Sequence, residues 1–320
     1  MIYRAGFDVG GTNARVHLFD ESLTAIGGKR ERIRDATGPK EVAKTLATLL
    51  ADACEEFDVD IADVGSIGLG IAGQLSADGR TVLNAPNLGW RDVDFVESLE
   101  EALGDHVEKT PSIRVINDLN AQVWGEHIEG AVEGVEDVLA VYVGTGVGGA
   151  ILAGGSLVRG ADNNAGEIGH SKVVVGGRPC GCGENGCVEA YAGGIHLERR
   201  VAEVAHNNDD EALNGLRTDE ENHLGVADEL ALEHPEILEI WEEATDYLAI
   251  VIANACTLLN PRALLIGGGV AENCTLFRSM LLQKTIPLIL RVARENIEIH
   301  QPSLGDFAGM LGAADLAKNS

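Results

Sequence analysis

The sequence is poor in lysine and in aromatic residues, and it contains no long unbroken hydrophobic run. Lysine and arginine together number 24 against 51 acidic residues, which gives a formal net charge of −27. Because nonspecific binding of nucleic acid requires clustered lysine and arginine, this charge argues against a nucleic-acid partner. The apolar run at residues 246–259 is interrupted by polar side chains and is too short to span a bilayer, so no membrane association is predicted.

The acidic excess has two explanations. Chains of high net charge with few aromatic residues are often disordered, but a folded protein can also carry this charge where salt screens its self-repulsion. Within residues 39–57, Val42, Leu46, Leu50 and Ala53 recur at the spacing of one helical face, which indicates a folded chain. We therefore predict a folded, halophilic protein from a salt-rich cytosol.

The first residues, MIYRAGFDVGG, contain no charged segment followed by an apolar one, so no export signal is predicted. The protein is therefore expected in the cytoplasm, where thiols stay reduced. This bears on the cysteines, because Cys180, Cys182 and Cys187 fall within eight residues. In a reducing compartment these three are not expected to form a disulfide knot.

His170 precedes the clustered cysteines in the pattern H-x9-C-x-C-x4-C. One imidazole nitrogen and three thiolates are the ligand set of a closed, tetrahedral Zn²⁺ site. Since all four positions would be filled by protein, the metal is predicted to be structural and to fix the loop that carries His170. A short-range redox pair of cysteines is the alternative.

Glu167 and Glu189 lie on either side of this predicted metal loop, in GEIGH and GCVEA. Close to a fixed histidine, they are expected to accept hydrogen bonds from substrate hydroxyl groups. The alternative is that each is a solvated surface carboxylate.

Glycine clusters occur at DVGGTN (residues 8–13), GTGVGG (144–149) and GGG (267–269). G-x-G-x-x-G matches at 68–73 and 144–149, but no helix is predicted after either match, which argues against a dinucleotide fold and an NAD enzyme. Backbone N–H groups of such turns can instead cradle phosphate, and Asp8 could hold Mg²⁺ through water. A plain tight turn is the alternative for each, but together the clusters favour a nucleotide held between two lobes.

Asp118 follows a buried strand in INDLNA (116–121), where a helix is predicted to begin. Aspartate is a favoured N-cap, which is one explanation for this position. The other is a general base at the carboxyl end of a strand, accepting the proton of a substrate hydroxyl during phosphoryl transfer. Asn117 could hydrogen-bond a second hydroxyl.

Residues 2–20 and 138–158 share the pattern strand, glycine turn, strand. Its occurrence in both halves of the 320-residue chain suggests two related α/β domains facing each other.

Together, these motifs resemble those of the ROK family of sugar kinases, repressors and open reading frames. DVGGTN, INDLNAQVWGE, YVGTGVGGA, GEIGH, CGCGENGCVEAYAGG and LIGGGVAEN occur in that family's order, from residue 8 to the tail. The resemblance implies an α/β, actin-like or hexokinase-like (ribonuclease H-like) two-domain fold, with sugar and ATP in the cleft between the domains. The expected domains are residues 1–117 with about 300–320, and residues 118–299 carrying the zinc loop.

The resemblance also implies roles for individual residues, with Asp118 as the catalytic base. APNLGW (residues 85–90) resembles the glucokinase version of the sugar-side loop, with Asn87 near a hexose hydroxyl. In GIAGQLS (residues 70–76) the prolines usual in the family are missing, but Gly73 remains. The sugar would be bound by Asn87, Asn117, Asp118, Glu167, His170 and Glu189, with Gly73 beside them. ATP would be bound by Asp8, Gly10, Gly11, Thr12, Asn13, Gly144, Thr145, Gly146, Gly268 and Gly269. Zinc would be bound by His170, Cys180, Cys182 and Cys187.

The expected activity is that of an ATP- and Mg²⁺-dependent glucokinase of glycolysis, which phosphorylates the 6-hydroxyl of glucose and acts as a homodimer or homotetramer. The alternatives are a kinase for N-acetylmannosamine, N-acetylglucosamine or fructose, or an enzyme that uses polyphosphate as its donor. A sugar-sensing regulator of the family would carry a DNA-binding helix-turn-helix before the first glycine turn, but only seven residues precede Asp8.

Overall fold

A computed structural model describes residues 2–33, 38–104, 106–107, 109–216 and 223–318. Groups of strands and groups of helices follow one another along the chain. The strands are β1 (Tyr3–Val9), β2 (Asn13–Phe19), β3 (Ala25–Arg32), β4 (Val64–Ile71), β5 (Gln74–Leu75), β6 (Thr81–Ala85), β7 (Trp90–Asp94), β8 (Ser112–Asn117), β9 (Val138–Val143), β10 (Val147–Ala153), β11 (Ser156–Leu157), β12 (Ala263–Gly267) and β13 (Glu298–His300).

The α-helices vary from a single turn to 25 residues. They are α1 (Pro39–Glu56), α2 (Phe95–Leu103), α3 (Asp118–Glu129), α4 (Glu189–Ala192), α5 (Gly194–Asn207), α6 (His223–Leu230), α7 (Pro235–Leu259), α8 (Gly269–Asn273), α9 (Thr275–Leu288), α10 (Arg291–Arg294) and α11 (Asp306–Leu316). Among the described residues, no helix is both long and apolar enough to cross a membrane.

Hydrogen bonding joins the strands into two large sheets and one small one. The large sheets have the orders β3-β2-β1-β4-β8 and β11-β10-β9-β12-β13, and the small sheet has the order β5-β6-β7. In each large sheet an antiparallel hairpin, β1–β2 or β9–β10, is extended by a parallel strand, β4 or β12. The strand–turn–strand pattern predicted for both halves of the chain is therefore confirmed.

The chain divides into two units. Unit 1 comprises Met1–Gly134, Leu157–Ala165 and Pro302–Ser320, and unit 2 comprises Val135–Ser156 and Gly166–Gln301. The domain boundary expected at residues 117 and 118 falls between β8 and α3, which both belong to unit 1. The physical reason is that α3 packs along the C-terminal helix α11 in the same unit.

Each unit has its own hydrophobic core. In unit 1, Phe7 and Leu69 from the sheet pack with Leu46 of α1 and Phe95 of α2. In unit 2 the core joins strand residues of β9 and β12 to the helices α5, α7 and α9. Each of the two large sheets therefore has a face packed against helices, and this packing fixes the positions of its strand ends.

Glycines allow α11 to lie directly on the sheet of unit 1 and on α3. A Cβ atom at Gly68 of β4 would collide with the backbone carbonyl of Ala313, and one at Gly312 would collide with the carbonyl of Ala121 in α3. Only glycine permits such close approach of two backbones. This packing explains why α11 is rich in small residues.

Glu126 of α3 is fully buried and joins the end of that helix to the segment that leads into α11. Its carboxylate accepts hydrogen bonds from the backbone N–H groups of Ala131, Ser303 and Leu304 and from the hydroxyl of Ser303, at 2.7–3.1 Å. A buried carboxylate with four donors is well satisfied. This contact holds α3, and hence the residue that begins it, in a fixed position in unit 1.

Candidate active site

The catalytic candidate Asp118 begins α3, but it is not the N-cap of that helix. The N-cap is Asn117, whose Oδ1 accepts a hydrogen bond from the backbone N–H of Asn120 at 3.1 Å. The explanation of Asp118 as the capping residue is therefore wrong. The cap is supplied one residue earlier, because asparagine serves this role as well as aspartate does.

Asn117 also anchors the loop that contains Gly73. Its Nδ2 donates to the carbonyl oxygen of Gly73 at 3.3 Å. Both ends of the Asn117 amide therefore have backbone partners, and what remains for a sugar hydroxyl is the second Nδ2 hydrogen and the second lone pair of Oδ1. Gly73 itself has a φ of 153° and lies against the carbonyl of Asn84, so a side chain there would be strained and would collide.

The register of the unit 1 sheet brings three chain segments to one edge. Val9, Ile71 and Asn117 lie in a single row across the parallel strands β1, β4 and β8. The residues that follow them leave the sheet at the same edge, with about 5 Å between neighbouring strands. The glycine turn that starts at Gly10, the Gly73 loop and Asp118 therefore belong to one site.

The turn at Gly10–Asn13 presents backbone donors. The N–H of Gly10 donates to the carbonyl of Asn13 at 3.0 Å, which closes the turn. Among the described residues, none accepts a hydrogen bond from the N–H groups of Gly11 or Thr12, and both residues are exposed. Successive unpartnered N–H groups form a concavity suited to phosphate.

Asp8, beside this turn, is paired with Arg15. A guanidinium nitrogen of Arg15 donates to the Asp8 carboxylate at 2.8 Å, and another lies 3.0 Å from the carboxylate of Asp306. Burial raises the pKa of Asp8, although the hydrogen bond and charge of Arg15 oppose the shift. No sequence motif indicates this arginine; its place opposite Asp8 in the predicted β1–β2 hairpin is the signal that identifies it.

Asn87 lies close to the same turn. It belongs to a short 3₁₀ helix, Pro86–Leu88, and a Cβ atom at Gly11 would come within 2.7 Å of the Asn87 carbonyl oxygen. The structure thus brings Asp8, the glycine turn, Gly73, Asn87, Asn117 and Asp118 together in unit 1.

A second glycine turn, Gly144–Gly146, joins β9 to β10 in unit 2. The N–H of Gly144 donates to the carbonyl of Gly146 at 3.0 Å. No acceptor for the N–H groups of Thr145 or Gly146 occurs in the part of the chain that the structure describes. This turn therefore offers the same kind of backbone donors as the turn in unit 1.

The triple glycine lies against this second turn. Gly268 has a φ of 92°, and a Cβ atom there would meet the carbonyl of Val143 at 2.6 Å. Gly194, at the start of α5, donates its N–H to the carbonyl of Gly144 at 2.8 Å. Gly268 and Gly269 therefore lie beside the Gly144–Gly146 turn, and Gly194 is a further residue of this group that no sequence motif indicated.

His170, Cys180, Cys182 and Cys187 form a four-residue cluster in unit 2. One ligand atom from each lies within 4.8 Å of all the others. The Sγ of Cys180 is 3.7 Å from Nδ1 of His170, and the Sγ atoms of Cys182 and Cys187 are also 3.7 Å apart. In a tetrahedral zinc site, bonds of about 2.0–2.3 Å place the ligands about 3.5–3.8 Å from one another. The donor set and its spacing fit a tetrahedral metal.

The protonation of the thiols is uneven. Burial raises the pKa of Cys180. Desolvation also acts to raise the pKa of Cys182, but the backbone N–H of Glu184 and the neighbouring thiols outweigh it, so the pKa of Cys182 is lowered. Lys172 lies beside the cluster, with its ammonium 3.1 Å from the Sγ of Cys187. A cation at this distance stabilises a thiolate, which is the form that binds metal.

His170 uses its two ring nitrogens on opposite sides. Nδ1 faces the cysteines, whereas Nε2 lies 3.8 Å from the carboxylate of Glu167. Burial raises the pKa of Glu167, and the nearby Glu189 adds to the shift while His170 opposes it. With Nδ1 directed to a metal, Nε2 would carry the proton and face the same space as Glu167.

Glu189 connects the cysteine cluster to the glycine turn of unit 2. One carboxylate oxygen accepts from the N–H of Val147 at 3.1 Å, and the other lies 3.2 Å from the Sγ of Cys180. The residue is therefore not a solvated surface carboxylate. Unit 2 brings Glu167, His170, Glu189, the cysteines and the Gly144–Gly146 turn into one contiguous group.

Arg178 anchors the cysteine loop to α7. Its guanidinium forms two hydrogen bonds with the carboxylate of Glu243, at 2.9 and 3.2 Å, and lies 4.5 Å from the ring centre of Tyr191. Arg200 pairs with the same carboxylate at 2.7 Å. Nothing in the sequence near Arg178 indicates this partner, because Glu243 is 65 residues away.

A strand-end aspartate beside a turn of unpartnered backbone N–H groups is an arrangement suited to phosphoryl transfer, which is the chemistry of α/β phosphotransferases. The chain belongs to the ROK family, whose sequence pattern matches residues 4–320. It is 32% identical over 322 residues to a glucokinase of Halalkalibacterium halodurans, covering 98% of this chain and 94% of that protein. It is 30% identical over 328 residues to an N-acetyl-D-glucosamine kinase of Yersinia pseudotuberculosis, covering 97% of both.

The fold is also that of a solved relative. The structure of a ROK family glucokinase from Streptomyces griseus, in complex with glucose and AMPPNP, matches with a TM-score of 0.79 and 31% identity. The match covers 99% of this chain and 100% of that one. The predicted family and the predicted actin-like, hexokinase-like α/β fold are both confirmed.

Proposed function

We propose that this protein is a glucokinase that transfers the γ-phosphoryl group of ATP to the 6-hydroxyl of glucose. The observation that carries the proposal is the row of Val9, Ile71 and Asn117, which places Asp118 at the sheet edge where the Gly10–Asn13 turn begins. Similarity to glucokinases, one of them bound to glucose and AMPPNP, supports the substrate and the donor.

In this proposal Asp118 is the general base. It accepts the proton of the 6-hydroxyl as that oxygen attacks the γ-phosphorus in line. Its position at the first residue of α3 is fixed by the Asn117 cap and by the contacts of Glu126 at the other end of the helix. A base held in this way needs little rearrangement before the reaction.

The remaining polar residues are proposed to recognise the sugar. Asn87, Asn117, Glu167, His170 and Glu189 offer acceptors and donors for a molecule with a hydroxyl on nearly every carbon, and Gly73 shapes the loop beside Asn117. Each buried polar group left without a partner costs about 1–3 kcal/mol, so a sugar lacking a hydroxyl is disfavoured.

The phosphates of ATP are proposed to be bound by two sets of backbone donors, those of Gly11 and Thr12 and those of Thr145 and Gly146. Gly10 and Asn13 shape the first turn, Gly144 shapes the second, and Gly268 and Gly269 would border the adenosine. Asp8 is the residue proposed to hold Mg²⁺ through water, and the ion would neutralise phosphate charge when bound. Arg15, between Asp8 and Asp306, holds the Asp8 carboxylate in place.

We further propose that the four-residue cluster holds a structural Zn²⁺ ion. The 3.7 Å spacings of its ligand atoms and the Lys172 ammonium beside Cys187 support this assignment.

Because the ligands must be reduced thiolates, the proposed compartment is the cytoplasm. There the protein would supply glucose 6-phosphate to glycolysis as a homodimer or homotetramer.

The direct test is a coupled assay with a panel of sugars and donors. We expect turnover to be highest with glucose and ATP, and at least about tenfold lower with N-acetylmannosamine or fructose, because these lack the hydroxyl pattern that the site pairs with. Lack of glucose phosphorylation with every donor, from ATP to ADP and polyphosphate, would refute the proposal.

N-Acetylglucosamine is the second candidate substrate, since kinases for this sugar are 30% identical over nearly the whole chain. The same panel separates the two. A kcat/KM for N-acetylglucosamine above that for glucose would reassign the substrate but leave the proposed base and phosphate turns in place.

We also propose that the source is halophilic, on the basis of the net charge of −27. Mutual repulsion of the surface carboxylates is screened by salt, so the melting temperature should rise steadily from salt-free buffer to molar KCl. Thermal unfolding followed by circular dichroism measures this. A melting temperature that does not depend on KCl would show that the charge is not an adaptation to salt.

A further inference from the structure

The half-buried arginines of unit 1 differ in whether a carboxylate lies beside them. Arg4, Arg15 and Arg80 each have an aspartate or glutamate oxygen within 3.2 Å. Arg114 and Arg159 are also half-buried, but among the described residues neither has an acidic partner or a side-chain hydrogen bond. In a chain with 51 acidic residues, two partly desolvated guanidinium groups without a partner require an explanation.

Arg114 lies within β8, at the edge of the unit 1 sheet. The turn formed by residues 76–81 covers this strand, since the N–H of Val115 donates to the carbonyl of Gly79 at 2.8 Å. Gly79 has a φ of 71°, and a Cβ atom there would come within 2.9 Å of both Cγ and Nε of Arg114. The side chain of Arg114 therefore lies against the turn, and the glycine leaves room for it.

Arg159 belongs to a loop that meets the same turn. Residues 157–165 are part of unit 1, although the chain on either side of them belongs to unit 2. The N–H of Ala165 donates to the carbonyl of Arg159 at 3.0 Å and closes the loop. Within it, Nδ2 of Asn163 donates to the carbonyl of Ser76 at 3.4 Å. The turn at residues 76–81 is thus joined both to the strand that carries Arg114 and to the loop that carries Arg159.

The two arginines act on each other electrostatically. Burial lowers the pKa of Arg159, and the positive charge of Arg114 lowers it further, with no carboxylate of the described chain opposing the shift. Asp78, in the turn itself, is occupied by its own turn, because its carboxylate accepts from the Ser76 hydroxyl at 2.5 Å and from the N–H of Arg80 at 3.1 Å. Two like charges held close together cost free energy that a bound anion would recover.

We propose that Arg114 and Arg159 form a binding site for a phosphate group, either that of inorganic phosphate or that of a phosphorylated sugar. The planar guanidinium group matches the geometry of phosphate and binds it through two parallel hydrogen bonds. A phosphate dianion balances both arginines, whereas a carboxylate would balance one. A nucleic acid or an acidic protein is not expected here, because a large polyanion would be repelled by a chain of net charge −27.

This Arg114–Arg159 site is separate from the glycine turns proposed to bind ATP. Arg114 precedes Asn117 by three residues, which is about 10 Å along β8. The turn at residues 76–81 directly follows β5, which in turn follows the Gly73 loop. The site does not depend on the proposed function, but if that function holds, glucose 6-phosphate is a ligand of the required class that the enzyme itself would produce.

The test is calorimetric titration of the full chain with inorganic phosphate and, separately, with glucose 6-phosphate, at one fixed KCl concentration that keeps the protein folded. We expect Arg114→Gln and Arg159→Gln each to raise the Kd of this site by about tenfold or more, because each removes charge-assisted hydrogen bonds. Arg159→Lys, which keeps the charge but not the planar fork, should give an intermediate Kd. Tighter binding of glucose 6-phosphate than of phosphate, lost in both glutamine variants, would identify the ligand as a phosphorylated sugar, and equal or weaker binding would identify it as phosphate itself.

Arg291→Gln is the matched control, since Arg291 lies in unit 2 and pairs with Glu295 at the surface. It makes the same change of charge and should leave both Kd values unchanged. Phosphate bound at the glycine turns would persist in the control and in the variants alike, so the difference between them measures the Arg114–Arg159 site alone.

Thermal unfolding without phosphate separates binding from a structural role. Because each glutamine variant removes one of two like charges, its melting temperature should equal or exceed that of the wild type. A melting temperature lowered in Arg114→Gln and Arg159→Gln would assign these arginines to stability and overturn the proposal. So would a wild type that binds neither ligand, glutamine variants that bind as tightly as the wild type, or an equal loss in Arg291→Gln. Absence of sugar kinase activity, with the difference between Arg159→Gln and Arg291→Gln intact, would refute the proposed function but not this site.

Discussion

Replacing Asp118 with asparagine should lower kcat by a factor of about 10² to 10⁴, the usual contribution of a general base. Glucose binding should stay close to that of the wild type, because the amide keeps the size and most of the hydrogen-bonding capacity of the carboxylate. The helix should be unaffected, since the capping side chain is that of Asn117. Steady-state kinetics with glucose and ATP, together with calorimetric titration of glucose, separate the loss of turnover from any loss of binding.

Asp94→Asn is the matched control for this experiment. Asp94 lies in unit 1 and caps α2, accepting a hydrogen bond from the N–H of Glu97 at 2.9 Å. Asparagine caps as well as aspartate does, so this variant makes the same change of charge at a helix start without touching the site. Turnover of Asp118→Asn within about threefold of the control would remove Asp118 from the role of base.

Replacing Cys182 with serine should release zinc and raise the KM for glucose by more than about tenfold, since even outer-shell changes at metal sites cost 10- to 100-fold. Cys182 is exposed, so the substitution leaves no cavity in the core. What changes is the restraint on His170 and on the loop between Glu167 and Glu189, whose positions depend on the cluster. Metal analysis of the purified protein measures zinc content, and sugar kinetics measure the consequence.

Asn185→Ser tests whether the effect belongs to the metal. Asn185 is exposed in the same loop and is not one of the four clustered residues. This control should retain about one zinc per chain and a wild-type KM. Purified wild type without zinc, or a Cys182→Ser variant with unchanged zinc and KM, would contradict the assignment.

Local patterns in the sequence predict the parts of the site that are held by short stretches of chain. The cysteine cluster and the two glycine turns each lie within a few residues of sequence, so their spacing determines their geometry. Asp118 is identifiable from its local context as well, because it directly follows a buried strand. From the sequence the cap is considered only for Asp118, whereas the structure assigns it to Asn117; both residue types serve as caps, and only the backbone at the helix start distinguishes them.

Contacts between distant parts of the chain could not be predicted in this way. The pairing of Arg178 with Glu243 and that of Arg15 with Asp306 join residues with no shared local pattern. The assignment of α3 to unit 1 depends on its packing against α11, which comes almost two hundred residues later in the chain. Such pairings are decided by tertiary packing, which the spacing of residues along one segment does not report.

The two contacts of Glu189 constrain how this enzyme can evolve. Its carboxylate accepts a hydrogen bond from the N–H of Val147, directly after the Gly144–Gly146 turn, and lies 3.2 Å from the Sγ of Cys180. If Glu189 contacts the sugar as proposed, a mutation there that admits a new sugar would also disturb the turn proposed to bind the donor, so adaptation to a different acceptor is expected to begin at Asn87 instead.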